Sequence, residues 1–229
     1  DILLFTNLSP EHIESHGSYD KYRAAKGKLF RELAYGKKKN FPKTAVINID
    51  DPEADYFLKL NGKNIGFTLN NSFKQGLKEL ISAENVKVDE AGGTFEIAGK
   101  KVSTKLLGKF NIYNIVGAFS VCRALGIDLG KLQNVISKID SVPGRMEFIN
   151  VGQDFEVIVD YAHEPASMKA LFGIVREIPH KKVIHIFGGT GGGRDKSRRP
   201  VMGEIADQNS KIIILTNDDP YSEDENKII

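Results

Sequence analysis

Apolar and polar positions follow two rhythms along the 229 residues. Short apolar runs at Ile2–Phe5, Lys43–Asp50 and Asn64–Thr68 are separated by stretches whose apolar residues recur every three or four positions. Strands alternating with helices in this way predict a parallel sheet covered on both faces. After Phe5 the chain turns at Thr6-Asn7-Leu8. Ser9-Pro10 reads as an N-cap followed by a proline at the first helical position, which puts Glu11 and His12 in a first helical turn. A second helix is expected from Ser18, with the stripe Tyr22, Ala25, Leu29, Phe30 and Leu33. Asp50-Asp51-Pro52 is expected to cap another.

From Leu80 to Leu107 the rhythm shortens to alternation around Gly92-Gly93 and Gly99-Lys100, the signature of an antiparallel meander. Helices are expected from about Asn111 through Leu125 and over Leu129–Ile139, with Cys122 buried on the face of Ile115 and Phe119. Ser141-Val142-Pro143-Gly144-Arg145 then breaks the helical pattern and marks a boundary between residues 1–142 and 143–229. Beyond it, strands are expected at Phe155–Val159, Lys182–Phe187 and Lys211–Leu215, with helices opening at Pro165 and at the last residues. The fold class is α/β: a central parallel-sheet domain with a small antiparallel meander, followed by part of a Rossmann-like domain.

Composition narrows the function classes. A net charge of +2 with 27% charged residues gives no electrostatic reason for a nucleic-acid partner. The basic runs Lys37-Lys38-Lys39 and Arg198-Arg199 read as solvated faces. A single cysteine rules out an intrachain disulfide and a multi-cysteine metal site, which fits a reducing cytoplasm. No apolar run approaches the ~18 residues of a membrane span, and no signal peptide is recognisable. The chain starts inside a strand pattern and stops where a helix begins, so both ends are expected to be cuts through a larger protein.

Candidate chemistry gathers in three places. Lys26 falls on the predicted apolar stripe, four residues after Tyr22 and three before Leu29. Either its stem packs while the ammonium reaches water, or half-burial disfavours the charged form and leaves an amine able to react. With carbon dioxide that amine gives a carbamate, an anionic oxygen donor suited to Mg²⁺, and His12 is the nearest candidate imidazole. Asp160-Tyr161-Ala162-His163 follows an apolar strand, and ligands of open α/β sheets bind beyond such strand ends. Gly188 to Gly193 has the spacing of a phosphate loop, but Arg194-Asp195 stands where Lys and Ser or Thr are required. The chain therefore contains no P-loop; its glycines still admit a close ligand, and Arg194 can grip a carboxylate with two parallel hydrogen bonds.

Thr6-Asn7-Leu8-Ser9, His12, His16-Gly17 and Tyr22-Arg23-Ala24-Ala25-Lys26 resemble the central domain of the Mur ligases, ATP-dependent amide-forming enzymes of peptidoglycan precursor synthesis. The resemblance implies that His12 binds magnesium and that Lys26 is carbamylated, as N6-carboxylysine, at the metal–phosphate centre. Gly108-Lys109-Phe110-Asn111-Ile112-Tyr113-Asn114 resembles the family's nucleotide-contacting segment, which implies ATP contacts for Asn111 and Asn114. Asn111 would equally serve as a helix cap. In the same way Arg145 is implied at the nucleotide phosphates. Asp160, Tyr161 and His163 belong to a segment that binds ATP, with Asp160 on a ribose hydroxyl. Glu164 departs from the threonine common in the family.

Gly188 through Gly203 is similar to one branch, the UDP-N-acetylmuramoyl-tripeptide synthetases, although Thr190 and the extra glycines differ from it. That likeness implies that Arg194 holds the incoming diamino acid and that Lys196 lies near the phosphates. Asp218, Asp219, Pro220 and Tyr221 match the branch's amino-acid-selecting tetrapeptide. Diaminopimelate users carry an arginine at the Tyr221 position, so the acidic pair here suits an ammonium-ended side chain such as L-lysine. The implied activity is ATP-dependent addition of a diamino acid, L-lysine or meso-diaminopimelate, to UDP-N-acetylmuramoyl-L-alanyl-D-glutamate through an acyl phosphate. Folylpolyglutamate synthetases are the nearest alternative, and a non-catalytic nucleotide-binding module is the other. A monomer is expected.

Overall fold

The computed structural model describes residues 1–36 and 43–229; the run Lys37-Lys38-Lys39 lies outside the described residues. In chain order the elements are β1 (Ile2–Phe5), α1 (Ile13–His16), α2 (Tyr19–Tyr35), β2 (Thr44–Asn48), α3 (Ala54–Leu58), β3 (Asn64–Thr68), β4 (Leu77–Asp89), β5 (Gly92–Ile97) and β6 (Lys100–Thr104). Then come α4 (Lys109–Ala124), α5 (Leu129–Ile136), β7 (Glu147–Phe148), β8 (Ile158–Val159), α6 (Pro165–Val175), β9 (Ile184–Thr190), α7 (Arg198–Asn209), β10 (Ile212–Asp218) and α8 (Glu225–Ile228). They divide into two compact units: residues 1–8 with 23–142, and residues 9–22 with 143–229.

The first unit is built on a six-stranded sheet in sequential order β1 to β6. Strands β1 to β4 pair in parallel, and β4 to β6 pair antiparallel. The meander expected from the change of rhythm is thus continuous with the parallel sheet. The junction is the 13-residue β4, which pairs with β3 through Ser82 and with β5 from Ala83. Strands β2 and β3 are buried at every position, as a sheet covered on both faces requires. At Gly92, φ is +130° and an added Cβ would collide with the Thr104 carbonyl, so only glycine allows the β5–β6 approach there.

One cluster of Val46, Phe67, Phe95, Ile112, Val116 and Phe119 with their neighbours fills the space between this sheet and α4. A second contact set stacks Phe5 on Phe57 at 3.9 Å, with Phe30 edge-on to both. That set corrects the helical stripe. Tyr22, Gly27, Phe30 and Leu33 are the buried positions of α2, whereas Ala25, Lys26 and Leu29 are exposed. Gly27 lets the ring of Tyr56 approach, which rotates the buried face away from Lys26.

The second unit has little sheet. β9 and β10 pair in parallel over seven residues with α7 between them, a single βαβ crossover. β7 and β8 form a two-residue antiparallel ladder. The five-residue strand expected at Phe155–Val159 is therefore reduced to Ile158–Val159, and Phe155 is exposed. Met168 and Phe172 of α6 pack with Met202, Ile205 and Ala206 of α7. α6 starts at Pro165, and Glu164 caps it in a reciprocal box with Ser167. The departure at Glu164 thus has a local reason.

Three further readings change. Asn111 lies inside α4, whose N-cap is Gly108, so it is not the cap. The helix after Asp128 ends at Ile136 rather than Ile139. Cys122 is half-buried rather than enclosed. Among the described residues no helix is long and apolar enough to cross a membrane.

Candidate active site

In the second unit three motifs far apart in sequence meet around one carboxylate. Glu11 Oε1 lies 3.6 Å from His12 Nε2, 3.5 Å from His163 Nε2 and 4.0 Å from an Arg194 guanidinium nitrogen. Arg194 also reaches His12 Nε2 at 3.3 Å. A guanidinium can only donate, so a hydrogen bond from Arg194 would use the imidazole lone pair at Nε2. His163 Nδ1 faces the Tyr161 carbonyl at 2.9 Å.

His12 does not stand in the first turn of a helix. It is the N-cap of the four-residue α1, in the left-handed region at φ 58° and ψ 27°. A residue with a Cβ reaches that conformation only when its surroundings hold it there. Asp195 supplies the hold. Its buried carboxylate accepts the backbone N–H of Ile13 at 2.7 Å and of Glu14 at 3.0 Å. Glu14 answers by accepting the Ser197 N–H at 3.1 Å. The imidazoles of His12 and His16 lie against the Tyr22 ring, whose phenol pKa is raised by burial and by the Glu11 carboxylate.

Asp160 serves its own loop: its two oxygens accept the N–H groups of Met146 and Ala162, each at 2.8 Å. The exposed Tyr161 ring carries the Arg145 guanidinium 4.5 Å over its face. Arg198 is buried and donates to the His163 carbonyl at 3.0 Å. Burial, with Arg194 nearby, lowers its pKa. Lys196 points to Glu223 at 3.0 Å, and Arg199 shares that carboxylate at 3.1 Å. These two cations lower the Glu223 pKa.

At the end of β10, Asp218 accepts from the Thr190 hydroxyl at 3.1 Å. The Asp219 carbonyl accepts from Gly191 N–H at 3.1 Å. Pro220 and Tyr221 pack against Gly191 and Gly192, positions where an added Cβ would strike them. The tetrapeptide and the glycine run thus form one surface, with Asp218, Asp219 and Tyr221 exposed.

In the first unit, Asn111 Nδ2 donates to the Leu107 carbonyl at 2.8 Å, and Asn114 Nδ2 lies 3.4 Å from Asn111 Oδ1. Asn114 is exposed; Asn111 is buried, and its carboxamide serves the start of α4. Lys26 is exposed on α2, so the half-burial expected from the stripe is absent. Asp50 at the end of β2 accepts from the Thr68 hydroxyl, the Leu69 N–H and the Tyr113 hydroxyl at 2.6, 2.8 and 3.0 Å.

These motifs agree with what the chain resembles in sequence. Residues 1–122 match the family described as Mur ligase middle domain, and residues 144–229 match Mur ligase, glutamate ligase domain. The chain belongs to the Mur ligase family. It is 36% identical over 235 residues to a UDP-N-acetylmuramoyl-L-alanyl-D-glutamate–2,6-diaminopimelate ligase of Geobacillus kaustophilus, covering all of this chain and 46% of that protein. It is 35% identical over 247 residues to a UDP-N-acetylmuramyl-tripeptide synthetase of Treponema denticola, covering 100% of this chain and 45% of that one. The chain spans about half the length of the curated relatives it matches.

A solved structure of a diaminopimelate ligase of the same name superposes with a TM-score of 0.61 at 28% identity, over 100% of this chain and 46% of that one. Folylpolyglutamate synthase of Mycobacterium tuberculosis superposes at 0.70 but with 16% identity, over 94% and 47% of the two chains, which shows a shared fold alone.

Of the residues that build this cluster and its support, sequence reading did not single out Asp195, Glu11 and Arg198. Each sits beside a residue it singled out: Asp195 after Arg194, Glu11 before His12, and Arg198 within the basic run. The amides that Asp195 holds are 182 and 181 positions away, so no local spacing reveals them.

Proposed function

We propose that the protein carrying this Mur ligase chain is a UDP-N-acetylmuramoyl-tripeptide synthetase. It joins a diamino acid to UDP-N-acetylmuramoyl-L-alanyl-D-glutamate with ATP. The observation that carries the reading is the meeting of Glu11, His12, His163 and Arg194, one cluster drawn from three family motifs. In this reaction ATP phosphorylates the glutamyl carboxylate, the amine displaces phosphate from the acyl phosphate, and an amide and inorganic phosphate leave.

Arg194 is the proposed grip on the carboxylate of the diamino acid, and Asp218, Asp219, Pro220 and Tyr221 select its far end. With no cation at Tyr221, an ammonium-ended side chain such as L-lysine suits this end better than the second carboxylate of diaminopimelate. The names of the relatives favour diaminopimelate, so competition between the two amino acids decides between them. Arg145, Tyr161 and His163 are the proposed nucleotide contacts from residues 143–229, with Asp160 shaping their loop and available to a ribose hydroxyl. Asn111 and Asn114 are proposed contacts from residues 1–142. Lys196 is the proposed phosphate contact and would exchange Glu223 for it.

Among the described residues no group of three or more His, Cys, Asp or Glu side chains forms a metal centre. Magnesium does not need one, because it is commonly held by one or two protein donors together with phosphates and water. A carbamate on Lys26 supplies a hard oxygen and exposure gives carbon dioxide access. His12 would offer Nε2 once Arg194 turns to a carboxylate. The ion would offset charge at the transferred phosphoryl group. Cytoplasmic location and a monomeric state complete the proposal.

The test is phosphate release coupled to ligation by the intact gene product. The expected result is turnover with UDP-linked dipeptide and a diamino acid and none with folate; folate turnover would instead assign the folylpolyglutamate reaction. Mass analysis of Lys26 peptides under bicarbonate checks for the added 44 Da of a carbamate.

A further inference from the structure

The turn bearing His12 is closed at its C-terminal end by Gly17 but has no side-chain cap of its own at the N-terminal end. Its helix is four residues long, its N-cap side chain makes no capping hydrogen bond, and His12 is left-handed. An isolated single turn is not stable in water. What meets its first two free N–H groups is a buried carboxylate contributed from 182 residues away. A carboxylate on helix N–H groups makes short, charge-assisted hydrogen bonds, and these two are 2.7 and 3.0 Å. The flanking residues add two more ties between the same segments: Arg194 to His12 and Ser197 N–H to Glu14.

We propose that Asp195 is a positioning residue that docks the His12 turn onto the loop holding the diamino acid, so that the two move as one piece. The proposal rests on the synthetase reading for its kinetic consequence, but the docking itself is independent of it. Because Arg194 and Asp195 are consecutive, a ligand that moves Arg194 pulls on the residue that fixes Ile13 and Glu14. In this proposal Asp195 acts through the Ile13 and Glu14 amides on the His12 turn and through the chain on Arg194.

Two measurements test this. In the intact gene product, amide hydrogen exchange at Ile13 and Glu14 is compared between wild type, D195A and D195N, with the β9–β10 amides as an internal control. Loss of both acceptor bonds in D195A should speed exchange at these two amides by roughly tenfold or more, with D195N intermediate because one oxygen remains. Unchanged exchange overturns the docking.

In the intact ligase, D195A should raise KM for the diamino acid by roughly tenfold while KM for ATP stays within about twofold. A fall in kcat with both KM values unchanged would mean a merely structural role and overturn the positioning. If D195A does not fold, D195N carries both arms. Loss of protection in a protein that ligates no diamino acid would sink the synthetase reading and leave the docking standing.

Discussion

Residues 1–8 with 23–142 and residues 9–22 with 143–229 are held together by different means. The first unit closes over a cluster of fourteen buried apolar residues between one sheet and α4. The second has a buried cluster of five, and its β10 strand is exposed at every position. Its loops are instead fixed by polar side chains placed on distant backbone: Asp195 on Ile13 and Glu14, Arg198 on His163, and Asp160 on Met146. An apolar core tolerates many sequences of the right volume, but a buried carboxylate or guanidinium must be matched atom by atom. The proposed chemistry of residues 143–229 draws on the unit in which that matching is dense.

The comparison can be broken from either side. The largest effect is expected from Phe119→Ala in the first unit. Truncating a buried phenylalanine typically costs about 3–5 kcal/mol, which urea unfolding would read as a lower midpoint with signals from β9–β10 less affected. Arg198→Ala in the second unit comes next. It leaves the His163 carbonyl without its donor and should cost about 1–3 kcal/mol, read as faster exchange in residues 160–164. If the two substitutions unfolded both units together and equally, the distinction between them would fail.

Tyr113 supplies a pH-dependent effect. Burial first, and then the hydrogen bond to Asp50, raise the phenol well above its usual 10.0. The folded state therefore holds this proton more tightly than the unfolded one. Its contribution is complete below pH 10 and is lost as the pH rises through the higher folded value. Tyr113→Phe should flatten the alkaline limb of stability at the loss of about 1 kcal/mol at neutral pH.

The smallest effect belongs to Glu223→Gln, which removes the shared partner of Lys196 and Arg199. The Glu223 pKa is lowered from 4.5, so this pairing is present above that pH and fades as the pH falls through the lower folded value. The variant should lose that weak acid dependence and little else, because a glutamine of the same shape keeps acceptor and packing, and a large loss of stability would contradict this ranking.

Several elements are legible in the residues themselves. Asn64–Thr68 is a strand with the expected bounds, and the change of rhythm after Leu80 does mark the turn from parallel to antiparallel pairing. These are features of period and turn chemistry, which neighbours in sequence determine. Lys26 shows the limit. Its spacing from Tyr22 and Leu29 matches a helical stripe, but the small side chain of Gly27 admits Tyr56 and turns the buried face toward Gly27 and Phe30. Ser9-Pro10 likewise has the composition of a helix start, whereas the cap that forms comes from Asp195 and moves the start to Ile13.

By itself, then, the sequence determined the change from parallel strands to an antiparallel meander in the first unit, the glycine turns, the helix start at Pro165 and the family to which the motifs belong. Tertiary structure alone decided which side of α2 is buried. It also decided that Asn111 serves its own helix, and that Glu11 is where His12, His163 and Arg194 meet. Local periodicity depends on residues a few positions apart. Charge pairing and long-range capping depend on atoms within about 4 Å, whatever their separation along the chain.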